Sequence, residues 1–178
     1  MVTFSRALLP VVALSLAVLG GCHTTPDSTM RVKTHSGVVS NVARYHTYSH
    51  ETATQAPVGY TGQFAPEVLE KVRQDIDLEM QKRGYVLTEA NGDLVVRISG
   101  GVRMVQDEPT GGAALAGAPV ELDRIGALVV DIFDRKNQGH LFHGYARDEL
   151  RGEHASDAQI KSAVTKLLEP LPTADHLK

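Results

Sequence analysis

The sequence has no tryptophan and a single cysteine, Cys22, and its other aromatic residues are few: four phenylalanines and five tyrosines among 178 residues. One thiol cannot form an internal disulfide. No covalent staple is available, and burial of apolar surface must hold the fold together. With so few rings, the core has to be built mainly from aliphatic side chains. Nor does charge of one sign dominate. The formal net charge is −3, with acids and bases interspersed. The lack of a basic stripe argues against a nucleic-acid partner. The lack of an acidic block argues against a solvating tail. No internal repeat is visible.

What the sequence does have begins at its amino terminus. Arg6 is followed by an apolar run over 7–19, broken only by Ser15 and Pro10, and then by Gly20, Gly21 and Cys22. The run is short for a bilayer span, which takes about 20 residues. It has the length of a signal-peptide core, about 7–15 residues. Leu19-Gly20-Gly21-Cys22 resembles the lipobox of a bacterial lipoprotein signal. That resemblance implies cleavage between Gly21 and Cys22 and acylation of Cys22, by a diacylglyceryl group on sulfur and a chain such as palmitate on the new amino group. Several chains hold a protein on a membrane where one binds only marginally, at about 0.8 kcal/mol per buried CH₂. The blander reading is an ordinary secretory signal with an incidental cysteine. Residue 23 is His rather than Asp. In enteric-type sorting this favours the outer membrane, on its periplasmic face.

Beyond the signal peptide, residues 1–21, the chain is one domain's worth. Residues 22–37 are rich in Thr, Ser and charged side chains and read as a lipidated cysteine followed by a flexible tether. Residues 38–172 carry the periodic patterns of a single domain, and 173–178 read as a loose tail. A first strand is expected over 43–50, where Tyr45, Thr47 and Tyr48 favour extended chain. A breaker-rich loop follows over 52–63. A helix is expected over 66–83. Pro66 suits its first position, Glu67 and Glu70 suit its start and Lys82 and Arg83 its end, and Gly84 suits its stop. Leu69, Val72, Ile76 and Met80 form its apolar stripe, and Leu78 lies on the far side. Tyr85–Thr88 is a short extended piece and Asn91-Gly92 a turn. Strands are expected over 93–105, where Gly100-Gly101 suggests a bulge or bend, over 125–133, and over 140–151 as the partner of a hairpin. Residues 107–123, which contain PTGGAALAGAP, read as a flexible connection with too little apolar surface to seek a bilayer. A last helix over 156–169 opens with a Ser156–Gln159 capping box, buries Ile160, Ala163, Val164, Leu167 and Leu168, and stops at Pro170. The order is β-α-β-β-β-α. The expected class is α+β: a small, mostly antiparallel sheet with two helices packed on one face.

Four stretches carry a family resemblance. They are YHTYS; RQDIDLEMQKRGY at the close of the first helix; GDLVVRISGGV; and IGALVVDIFDRKNQGHLFHGYA, followed by a helix ending LLEPLP. Their order and spacing resemble the bacterial lipoproteins grouped as domain of unknown function 4136 (DUF4136). One departure is visible. The family's hairpin usually returns through a tryptophan, where this chain has Leu141-Phe142-His143-Gly144. The resemblance implies the α+β fold and a lipid anchor. It implies no activity, cofactor or catalytic residues.

The residues themselves offer little catalytic chemistry. His46 and His50 have the i,i+4 spacing of a helical zinc pair. On a strand, four residues span about 13 Å, too far for one ion, so both read as surface histidines. His140 and His143 lie three apart on a strand and are expected on opposite faces. Ser99-Gly100-Gly101 lacks the strand-to-helix elbow of a nucleophilic serine. Asp131 and Asp134 could be an acid–base pair, but an aspartate opening a turn is the commoner arrangement. Gly100-Gly101 and Gly111-Gly112 match no phosphate loop. The expectation is therefore no catalytic residue, no cofactor and no high-affinity metal site. The leading reading is an outer-membrane-anchored, non-enzymatic binding or envelope-assembly module with an unidentified envelope protein as partner. The main alternative is a periplasmic protein that binds a small ligand or metal through clustered histidines, with a hydrolase as a distant third.

Overall fold

The computed structural model describes residues 30–35, 39–52, 55–106, 122–152 and 154–175. Its elements are β1 (Arg31–His35), α1 (Val39–Val42), β2 (Thr47–Thr52), β3 (Gly62–Gln63), α2 (Pro66–Lys82), β4 (Val86–Leu87), β5 (Leu94–Gln106), β6 (Leu122–Asp134), β7 (His140–Glu149) and α3 (Asp157–Leu168). The seven strands make one sheet in the order β1-β7-β6-β5-β2-β4, with β3 added beside β5. β5, β6, β7 and β1 pair antiparallel. β2 joins β5 in parallel and carries β4, also parallel. A parallel pair needs a crossover, and α2 supplies it between β2 and β5.

Sequence pattern explains which face is covered. Leu94, Val96 and Ile98 on β5, Leu128, Val130 and Ile132 on β6, and Phe142 and Ala146 on β7 alternate onto one face and are buried. Against them lie Val68, Val72, Ile76 and Met80 of α2 and Ile160, Val164, Leu167 and Leu168 of α3, also buried. The two helices pack on each other as well. The α+β architecture, with two helices on one sheet face, is thus the one the apolar stripes require. Leu69 is only partly buried, and Val68, one residue earlier, takes the inner position. Leu78 faces solvent at 54 % exposure. The Ser156–Gln159 capping box is present at the start of α3. Gly84 adopts φ +86° just past α2, a conformation glycine reaches at no steric cost.

Several expectations need correction. Residues 31–35, placed in the tether, form edge strand β1 against β7. Only Val32 packs against the core, and the flanking Arg31, Lys33 and His35 are exposed. An edge strand with charged outward positions reads as linker in sequence. Residues 39–42 make a helical turn, with Val42 fully buried, and the first predicted strand begins at Thr47 rather than 43. The end of the chain is not loose as far as Asp175. Ala174 is buried and its N–H donates to Arg83 O, while the Asp175 N–H donates to Ala43 O. Gly100-Gly101 is no bulge, since β5 and β6 pair in continuous register through it. A Cβ at Gly100 would fall 2.1 Å from the Phe64 ring, and one at Gly101 would fall 2.7 Å from Gly62 O. The two glycines let the 57–64 segment lie close along β5.

Candidate functional site on the helix-free face

Among the described residues, the other face of the sheet carries no helix. It presents Arg97 and Ser99 from β5, Val129, Asp131 and Phe133 from β6, and His143 and Tyr145 from β7, each one position off the core series. The 55–60 segment crosses part of this face. It is fixed by the Tyr60 and Tyr145 hydroxyls, 2.8 Å apart, and by Arg103 over the Tyr60 ring. Burial, then the bond to Tyr145, pushes the Tyr60 hydroxyl up to about 12, so the Tyr60 phenol stays protonated at neutral pH. Between this segment and the β6–β7 hairpin lies an open cleft of about 740 Å³. Pro57 and Val58 form one wall, Arg97 and Ser99 the floor, and Asp131 and His143 the far side. Arg97 reaches Glu51 at 2.9 Å and lies 4.8 Å from the centre of the Phe133 ring.

At the hairpin end, three chemically active side chains converge. Asp131 Oδ1 lies 2.7 Å from His143 Nδ1 and 2.8 Å from His140 Nε2. The His140 ring stacks on Phe133 at 4.6 Å and 18°. His35, opposite His143 on β1, has its ring 6.3 Å from that of His143. This contradicts the expectation that His140 and His143 lie on opposite faces. The reason is a β-bulge. Phe142 pairs with Ile132, and His140 pairs with Phe133, so Leu141 is an extra residue on β7. A bulge shifts the alternation by one residue, and His140 rotates onto the face that already carries His143 and Asp131.

The other candidates are dispersed. His46 precedes β2, and His50 turns inward, with Nε2 2.7 Å from Asp77 Oδ1. The same oxygen accepts the Tyr48 hydroxyl at 2.7 Å, and burial, then this bond, raises the Tyr48 pKa. His50 is therefore a half-buried link between β2 and α2, not the surface histidine expected. Asp131 and Asp134 do not act as a pair. Asp134 accepts the Tyr45 hydroxyl at 2.7 Å and the Lys136 N–H at 2.7 Å, which is the turn-opening role. Ser99 lies mid-strand, as its sequence context implies. Gly21 and Cys22, the cleavage and lipidation positions, lie outside the described residues, as do Gly111-Gly112. Among the described residues, no helix is long and apolar enough to cross a membrane.

Residues 32–173 match the family described as "Domain of unknown function (DUF4136)". No curated protein matches the sequence. Among solved structures, the fold is similar to that of the PelC dodecamer from Paraburkholderia phytofirmans, at 12 % identity and a TM-score of 0.53, covering 83 % of this chain and 99 % of that one. It is similar to a DUF4136 family protein from Bacteroides thetaiotaomicron, at 13 % identity and a TM-score of 0.52, covering 83 % and 100 %. A weaker likeness, at 13 % identity and a TM-score of 0.42, is to a minor lipoprotein from Acinetobacter baumannii, covering 73 % and 98 %. Identities this low speak to fold alone, but the family match spans most of the chain: the protein belongs to the DUF4136 family.

Proposed function

We propose that this is an envelope lipoprotein, anchored through Cys22 on the periplasmic face of the outer membrane, and that it works as a non-enzymatic binding or assembly module. Its docking surface is the helix-free face of the sheet, and its partner is another envelope protein rather than a nucleic acid. One observation carries the reading: α2 and α3 seal one side of the sheet, while the other presents an open cleft with aromatic, imidazole and guanidinium groups at its edges. Such mixed groups suit a protein partner, because aromatic rings and arginine dominate binding hot spots. PelC, of similar fold, forms a dodecamer, which supports an assembly role for the architecture. The non-enzymatic part rests on two of the candidate groups: Ser99 lies mid-strand and Asp134 is committed to its turn, so neither a serine elbow nor an Asp131–Asp134 acid–base pair is formed.

The test is photo-crosslinking in intact envelopes, with the crosslinker at Val58, fully exposed at the cleft wall, or at Leu78, exposed on α2. Discrete protein adducts from position 58 and none from position 78 are expected. Adducts from position 78 alone, or from neither, would count against docking on this face.

A further inference from the structure

The geometry points to a divalent transition-metal site formed by Asp131, His140 and His143 at the end of the cleft. The ligating atoms, one from each residue, all lie within 4.8 Å of one another. Two imidazoles and a carboxylate are a donor set that suits first-row ions such as zinc, with further positions left for water or an incoming ligand. A tetrahedral ion with bonds of about 2.0–2.1 Å needs its ligand atoms about 3.3 Å apart. The two imidazole–carboxylate separations, 2.8 and 2.7 Å, must open slightly, and the two nitrogens must close by no more than about 1.5 Å. Small side-chain rotations suffice, because both rings are substantially exposed, at 46 % and 38 %.

Without an ion, each ring nitrogen turned to Asp131 can donate its proton to the carboxylate. A neutral imidazole has a second nitrogen that can carry that proton instead. The ring then offers a lone pair to the metal with no net loss of a proton. The surroundings fit this use. Phe133 stacks beneath His140 and limits its rotation. Arg97, the nearby cation, is paired with Glu51, which reduces its repulsion of a bound ion. Asp131 and His143 line the cleft, so an ion held there can take a ligand from a docked partner or from solution. This inference stands apart from the docking role, since a face that never crosslinks can still bind zinc.

The experiment is calorimetric titration of zinc chloride into the full chain, purified in detergent without a histidine tag. One zinc per chain is expected. Asp131→Asn, His140→Ala and His143→Ala should each weaken binding by at least about tenfold, and His46→Ala should leave it unchanged. Cobalt as a second probe should give a visible ligand-field spectrum that is lost in His143→Ala, with thermal melts confirming that the variant is folded. A flat isotherm, or binding that survives all three substitutions, would overturn the site. Binding removed by His46→Ala instead would place it elsewhere and equally overturn it.

Discussion

At the scale of single residues, the two aspartates of the β6–β7 hairpin illustrate how neighbours assign roles. Asp134 and Asp131 are three positions apart in one strand, yet one holds a turn and the other holds two histidines. The Tyr45 hydroxyl, then the Lys136 N–H, hold the Asp134 carboxyl below its ordinary value of 3.8. A folded-state pKa below the unfolded one gives stability that is present above the unfolded value and lost as pH falls through the folded value. Tyr45→Phe should therefore cost about 1–2 kcal/mol at neutral pH, and the gap from wild type should narrow well below the ordinary carboxylate range. Urea denaturation of both proteins at the two pH values checks this. An equal gap at both would mean that the loss is one of packing, not of a bond to a charged carboxylate. The turn-opening role of Asp134 was legible in sequence, because an Asx turn is a local event. Its bond to Tyr45, 89 positions away, was not.

At the scale of elements, the helices were the most legible. A 3.6-residue stripe, a proline at the start and a glycine at the end are all written locally, and α2 and α3 begin and end within about one residue of the expected limits. Their packing gives a matched pair of tests. Ile76 is fully buried against the sheet, whereas Leu78 is half exposed on the same helix. Ile76→Ala should destabilise by about 2–5 kcal/mol, and Leu78→Ala by no more than about 0.5 kcal/mol. Chemical denaturation distinguishes them, and equal costs would contradict the assigned face of α2. The strands were less legible at their margins. β1 carries one core-facing valine among charged residues, and β3 is two residues long, so neither has enough period-2 signal to stand out. The bulge at Leu141 was invisible for a different reason. It depends on how β7 meets β6, and no pattern within HLFHG announces it. The candidate site is hidden for that reason: Asp131, His140 and His143 all stand out in the sequence, but unbroken strand alternation puts His140 on the opposite face, and only the bulge brings it round.

At the scale of the whole molecule, the sequence indicates an address more clearly than an activity. The lipobox reading carries a direct test: Cys22→Ser should abolish acylation and leave the unprocessed precursor. Labelling with a palmitate analogue, followed by membrane fractionation, measures both. Mature, membrane-bound protein at the wild-type level would refute the anchor. The family match rests on the domain, residues 32–173, and is independent of that outcome.

The seating of the chain's end has a consequence in time. Leu167, Leu168, Leu171 and Ala174 are all buried, and Tyr85 donates to Pro172 O across the same junction. At the other extreme, β1 waits for β7, more than a hundred positions later, to supply its strand neighbour among the described residues. The core therefore cannot close on a growing chain until the residues from Leu167 to Ala174 have been made. Contacts this distant in sequence also form slowly. If the chain is exported unfolded, as the lipobox reading expects, this delay keeps it open and threadable, and commits it to its native shape only once the segment that carries Leu167 to Ala174 has emerged.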